Sequence, residues 1–283
     1  MAPRHPPVAG ARRGRVTAWL TTRGALRVPE ITVAFWVIKG LSTAMGEATS
    51  DYMVHVMAPE FAVVLGFVAF VATLALQFSM GRYVAWTYWL SVVVVGTFGT
   101  MAADALHVGT GVPYTASTLF YLVVLVAVFG LWWRTERTLS IHTIDTPRRE
   151  AFYWAAVVAT FAMGTALGDL SATTGHLGYF PSALLFAALM VVPALGFALL
   201  RWNAVATFWV AYVLTRPLGA SIADGLGKPR PISGLGWGDG PVALVFGVLI
   251  VVLVAVLAVT KLDVQAPSAA GPDATSPEVP APG

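Results

Sequence analysis

Four aspartates, Asp51, Asp104, Asp169 and Asp224, sit at the same place in four apolar stretches of this 283-residue chain. Each closes one string: an aromatic-Trp pair, nine residues, Gly, four residues, Asp. The copies are Phe35-Trp36…Gly46…Asp51, Tyr88-Trp89…Gly99…Asp104, Tyr153-Trp154…Gly164…Asp169 and Phe208-Trp209…Gly219…Asp224. Carboxylates held at one depth by neighbouring helices gather negative charge, which suits protons or divalent cations. A carboxylate in the last turn of a helix also faces the negative end of the helix dipole, the unfavourable sign. A positive partner is therefore expected: an arginine, a proton or a bound cation. The plainer alternative is that each Asp is only a polar helix end.

The first copy extends the pattern. Lys39, Thr43, Glu47, Asp51 and His55 recur every four residues and form one slowly turning polar stripe. Equivalent places hold Gly96, Thr100 and Asp104, then Phe161, Thr165 and Asp169, then Arg216, Ala220, Asp224 and Lys228. Lys39, Glu47 and Arg216 lie deepest, where an ionised side chain costs ~3 kcal/mol. Glu47 is predicted to pair with Arg216 across the first and seventh helices, and a pair that only fixes packing competes with a functional one. The candidate cation pathway is thus Asp51, Asp104, Asp169, Asp224, Glu47, Lys39 and Arg216. His55 and His107 follow their Asp by four and three residues and could add imidazole to a divalent-metal site, with chance placement in short loops as the alternative. A bound divalent cation is the one cofactor this pattern suggests.

The glycines Gly46, Gly99, Gly164 and Gly219 fit close backbone approach between helices. Alternatively they mark a bend that exposes carbonyls, which Pro217 favours in the seventh helix by freeing a carbonyl one turn back. Trp36, Trp89, Trp154 and Trp209 suit a membrane interface, and the fifteen residues from Trp to Asp cover about 22 Å of helix. An enzyme is the less favoured reading. The chain has no cysteine, and no His-Glu-x-x-His, Gly-x-Ser-x-Gly or P-loop pattern occurs. Thr100 and Thr165 lie one turn from an Asp, but helical threonines commonly bond the preceding turn's carbonyl.

The elements that position these residues follow from composition. Hydrophobic residues make up 57% and charged ones 11%, against about 25% charged in soluble domains. Apolar runs of about 20 residues, enough to cross a bilayer, are predicted at 31–52, 60–80, 84–105, 115–133, 151–171, 182–200, 203–224 and 242–261. Each even-numbered span opens at a proline (Pro59, Pro113, Pro181, Pro241) and closes on a base (Arg82, Arg134, Arg201, Lys261). The expected fold is an all-α integral membrane protein of eight transmembrane helices, arranged as four tandem parallel two-helix repeats. The repeats fall at about 28–82, 83–134, 148–201 and 202–262. Thirteen Lys and Arg fall on the side of the termini and only Lys228 and Arg230 opposite, so both termini are expected to be cytoplasmic. The basic segment 1–27 reads as a disordered lead-in to an uncleaved first span, and its arginines need no nucleic acid to explain them. The Ala/Pro/Ser/Gly-rich segment 263–283 reads as a disordered tail. The partner is the lipid bilayer, and the oligomeric state stays open.

These residues resemble a bacterial family described as membrane-anchored proteins built from a transmembrane repeat of unknown function. The likeness rests on Val28-Pro29-Glu30, Phe35-Trp36-Val37-Ile38-Lys39, Met45-Gly46-Glu47, Gly99-Thr100…Asp104, Phe152-Tyr153-Trp154, Gly164-Thr165-Ala166-Leu167-Gly168-Asp169 and Leu214-Thr215-Arg216-Pro217-Leu218-Gly219-Ala220-Ser221, spanning residues 28–229. It implies the repeat, the eight spans and the bacterial inner membrane, and it carries no activity. From the residues, the leading function is a proton or divalent-cation transporter or channel. The alternative is a structural or partner-binding membrane protein whose charges fix helix packing.

Overall fold

The computed structural model describes residues 24–265, apart from Val108. Eight long helices carry the chain: α1 (Val33–Val56), α2 (Pro59–Met80), α3 (Ala85–His107), α4 (Tyr114–Glu136), α5 (Pro147–Asp169), α6 (Tyr179–Leu200), α7 (Ala204–Gly227) and α8 (Asp239–Thr260). No strand occurs among the described residues. Seven of the eight are long and apolar enough to cross a membrane. The eighth, α1, is as long but carries Lys39, Glu47 and Asp51, all buried.

Local sequence sets the helix ends. Thr32, Thr146 and Asn203 cap α1, α5 and α7 with side-chain oxygens that accept backbone N–H bonds. The prolines of the even helices all fall at the N-cap or in the first turn, where a missing N–H costs nothing. Arg137, Arg201 and Lys261 take the left-handed C-cap conformation, so a basic side chain stands where free carbonyls collect. Helix α5 starts earlier than its apolar run, at Pro147, because Thr146 caps a polar first turn.

The four motif helices form a closed ring in which α1 packs on α3, α3 on α5, α5 on α7 and α7 on α1. The four plain helices stand outside it, yet none packs chiefly on its own hairpin partner. Helix α2 lies on α3, α4 on α5, α6 on α7, and α8 closes the circle on α1. The packed unit is therefore offset by one helix from the sequence hairpin. The outer helices expose Phe61, Phe120, Leu184, Leu199 and Leu244, the surface expected of lipid contact.

The motif supplies both contacts that close the ring. Each aromatic residue meets the Trp of the next copy: Phe35 with Trp89 at 5.6 Å, Tyr88 with Trp154 at 5.6 Å, Tyr153 with Trp209 at 6.1 Å and Phe208 with Trp36 at 5.7 Å. Each motif glycine likewise faces the next helix. A Cβ at Gly46 would stand 3.0 Å from the Gly96 backbone, and at Gly99 2.7 Å from the Phe161 Cβ. At Gly164 it would stand 2.6 Å from the Arg216 Cβ, and at Gly219 2.6 Å from the Thr43 Cβ. Small residues here let backbones touch. Helix α7 runs unbroken through Pro217, so Gly219 marks contact and not an unwound turn.

At the face where the described ends lie, residues 24–32 run under the ring. Gly24 and Arg27 donate backbone bonds to Asp145 and Ile144, and Tyr83 donates to Leu26. Arg27 pairs at 2.6 Å with Glu150, which is fully buried and also accepts from Gln77 at 2.9 Å. The stretches 24–27 and 263–265, read from sequence as disordered, are packed. Gln265 bonds the Val28 and Pro29 carbonyls, and Tyr83 bonds Asp263. Residues 1–23 and 266–283 lie outside the described residues.

Candidate functional site

Because the stripe repeats every four residues, it stacks in layers along the ring axis. Nearest the termini are the aromatics Phe35, Tyr88, Tyr153 and Phe208. The next two layers are Lys39, Val92, Val157 and Tyr212, then Thr43, Gly96, Phe161 and Arg216. Above them come Glu47, Thr100, Thr165 and Ala220, and last Asp51, Asp104, Asp169 and Asp224. Every residue named in the first four layers is buried, so the lower axis is filled by side chains.

Glu47 meets Arg216, the partner assigned to it from sequence, at 2.5 Å, with the two residues 3% and 0% exposed. The guanidinium also donates to the Thr43 carbonyl at 2.9 Å, to Thr165 Oγ1 at 2.7 Å and to Thr100 Oγ1. Thr100 in turn donates to Glu47 at 3.2 Å. One network thus joins all four motif helices and closes the axis.

Above this floor lies a cavity of about 1060 Å³ that opens at the end away from the termini. Glu47 and all four repeat aspartates line it, with Asp239, Glu60, His55 and Lys228 nearer the helix ends. Oxygens of Glu47, Asp51 and Asp224 lie within 4.8 Å of one another. Two ligands each about 2.3 Å from a shared cation stand no farther apart than this. Asp104 and Asp169 face the same space from α3 and α5, and Asp169 ends at a π-helical turn, Leu170–Thr174, a distortion frequent at functional sites.

Lys228 follows the last residue of α7 and points back at this trio. Its Nζ is 2.5 Å from Asp51 Oδ2 and 3.9 Å from Asp224 Oδ1. Burial opposes its charge, but Asp51 and Asp224 outweigh burial and hold the ammonium well above the usual lysine range. Lys228 occupies the stripe position one turn past Asp224, which the sequence displayed but counted only as a loop charge. Asp239, 3.5 Å from His55 Nδ1, had no sequence signal because it opens a plain helix, outside the repeated aromatic-Trp…Gly…Asp string.

The histidines divide. His55 stays at the cavity, its Nδ1–H donating to the Asp51 carbonyl at 2.6 Å. His107 is not among the lining residues; it bonds the Val112 carbonyl and stacks on Tyr114 at 3.5 Å. The donor trio is all carboxylate, a set suited to Mg²⁺, Ca²⁺ or Mn²⁺.

Lys39 stands apart from the cavity. Its ammonium lies 4.1 Å from the Phe161 ring centroid and 4.3 Å from that of Tyr212, with no hydrogen-bond partner.

No curated protein and no solved structure matches this chain. A family model described as a repeat of unknown function, DUF347, matches three times, at residues 87–138, 152–201 and 207–263. Each match takes in one motif helix and the plain helix after it, and α1 with α2 completes the fourfold ring without being matched. With more than half of its length covered, the chain belongs to the family built from this repeat of unknown function.

Proposed function

We propose that this protein is a divalent-cation transporter of the bacterial inner membrane, with both termini cytoplasmic and four like-oriented repeats around one pathway. The observation that carries the reading is the shared cavity: five carboxylates from four repeats line one space, and three of them stand at ligation distance. Glu60 and Asp239 add two more carboxylates to the lining, against Lys228 in the wall and Arg216 in the floor, so the space carries a surplus of negative charge. The filled axis below Glu47 favours a transporter over an open channel, since passage requires the floor and aromatic layers to part. Asp51, Asp224 and Glu47 would bind the ion, and Asp104 and Asp169 would hold it on the opposite wall.

Titration of the purified protein with Mg²⁺, Ca²⁺, Mn²⁺ and Zn²⁺, followed by thermal unfolding, tests this. An oxygen-preferring ion at 100 times its dissociation constant should stabilise by about 2.7 kcal/mol. The double variant Asp51→Asn/Asp224→Asn should lose that shift. No shift with any ion, or an equal shift in the variant, removes the reading. The Glu47–Arg216–threonine network favours a second reading, a scaffold in which the charges serve packing. That reading expects the Asn variants to fold poorly with no ion binding in either protein.

A further inference from the structure

The cavity reading leaves Lys39 without a role, and its surroundings give it one. The two deep bases are held in opposite ways. Arg216 is fixed by Glu47, by two threonine hydroxyls and by the Thr43 carbonyl. Lys39, 1% exposed, offers three N–H donors to no acceptor and rests against two aromatic faces. At its own depth the other motif helices present Val92, Val157 and Tyr212, and one turn toward the cavity Gly96, Phe161 and Arg216. Helix α8, packed outside α1, adds apolar Ile250, Val254 and Leu257 to the core. Arg216 is the single charge among these neighbours, and it repels the ammonium across Phe161, whose ring centroid lies 5.1 Å from its Cζ. Nothing here locks the proton onto Lys39.

A hydroxyl series continues toward the termini. Tyr212 is buried with an unpartnered hydroxyl, the Tyr88 and Tyr153 hydroxyls are hydrogen-bonded, and Tyr83 packs edge-on to Tyr88 at 5.6 Å and bonds Asp263. Tyr83 and Asp263 line a second cavity, of about 930 Å³, at the termini face. Lys39 therefore lies between two cavities, below the cation floor and above the tyrosines.

We propose that Lys39 is the proton-carrying group of this protein, so that a cation crossing the bundle is exchanged against protons. The proposal rests on the cation reading of the upper cavity. A cation entering above the Glu47–Arg216 floor adds positive charge that acts on the ammonium through the buried side chains between them. One N–H bond then breaks, its electron pair stays on nitrogen, and water of the termini-side cavity takes the proton by way of the tyrosine hydroxyls, each accepting one proton and giving up its own. When the cation departs from the outer cavity and the floor parts, the amine takes a proton from water on that outer side, so the proton crosses opposite to the cation.

Lys39→Arg is the decisive variant, because arginine keeps the charge and cannot release the proton. In vesicles containing a trapped pH dye, an imposed Mn²⁺ gradient should drive opposing proton flux through the wild type. Lys39→Arg should lower that flux by more than about tenfold, while Mn²⁺ binding to the detergent-purified variant stays within about threefold. Lys39→Met should lose the flux equally. Proton exchange at the wild-type rate in Lys39→Arg overturns the proposal, as does wild-type Mn²⁺ transport without proton movement. A wild type that binds no Mn²⁺ in detergent overturns the cavity reading itself, and this proposal with it.

Discussion

Neutralising Glu47 should destabilise the bundle more than removing its partner. The two charges meet at 2.5 Å and are 3% and 0% exposed. Breaking a buried pair from one side costs about 3–5 kcal/mol because an uncompensated charge remains. Glu47→Gln leaves a guanidinium that cannot shed its proton. It keeps the Thr43, Thr100 and Thr165 oxygens, which are neutral. Arg216→Met leaves a carboxylate that can take up a proton and still accept from Thr100 at 3.2 Å, so its cost should fall at or below the lower end of that range. The double variant removes both charges and should recover most of the loss, with a coupling energy of about 2–3 kcal/mol. Thermal unfolding in detergent, followed by tryptophan fluorescence, measures the cycle. At ~2–4 °C per kcal/mol the Glu47→Gln loss is on the order of 10 °C. Two small single losses that simply add in the double variant would refute the argument that this pair holds the floor together.

Gly219→Ala should cost about 1–3 kcal/mol, since its Cβ would stand 2.6 Å from the Thr43 Cβ and 2.9 Å from the Ala44 nitrogen. Gly40→Ala, with nothing within 4 Å, should gain up to about 1 kcal/mol from helix propensity; thermal unfolding of the two variants compares them directly. Arg27→Ala strands the fully buried Glu150 and should cost about 3 kcal/mol, read in the same assay. Lys228→Met should tighten divalent binding in calorimetry, because the ammonium competes for Asp51 and Asp224. The Lys228 proton affinity is raised on folding, so its contribution is complete below the ordinary lysine value of about 10.4 and is lost only above it. The stability gap between wild type and Lys228→Met should therefore be flat from about pH 6 to pH 9, and a gap that closes within that window contradicts the ion pair.

The repeat was legible because the ring axis is read by residues four apart. Each layer sets one residue from every copy around the axis, so Glu47 and Arg216 stood out as the charged exceptions to positions otherwise filled by Thr, Ala, Gly or Phe. The order of packing was not legible. Helices α2, α4, α6 and α8 are apolar on every side, as lipid-facing spans must be, and no polar stripe tells which neighbour each one covers. That is why the sequence hairpin and the packed pair differ by one helix, with α8 returning to α1. The site shows the same division. The four aspartates that line the cavity share one register, whereas Asp239 opens the plain helix of the fourth repeat, outside the repeated string, and reaches the cavity through the fold of the α7–α8 connection. Lys228 falls between these cases: it holds a stripe position, but only the turn of chain beyond α7 aims it at Asp51, 177 residues away. A fourfold sequence repeat thus yields a site of lower symmetry. Asp51 and Asp224 face a tethered cation while Asp104 and Asp169 have no ion-pair partner among the described residues, and an entering ion would meet two unlike walls.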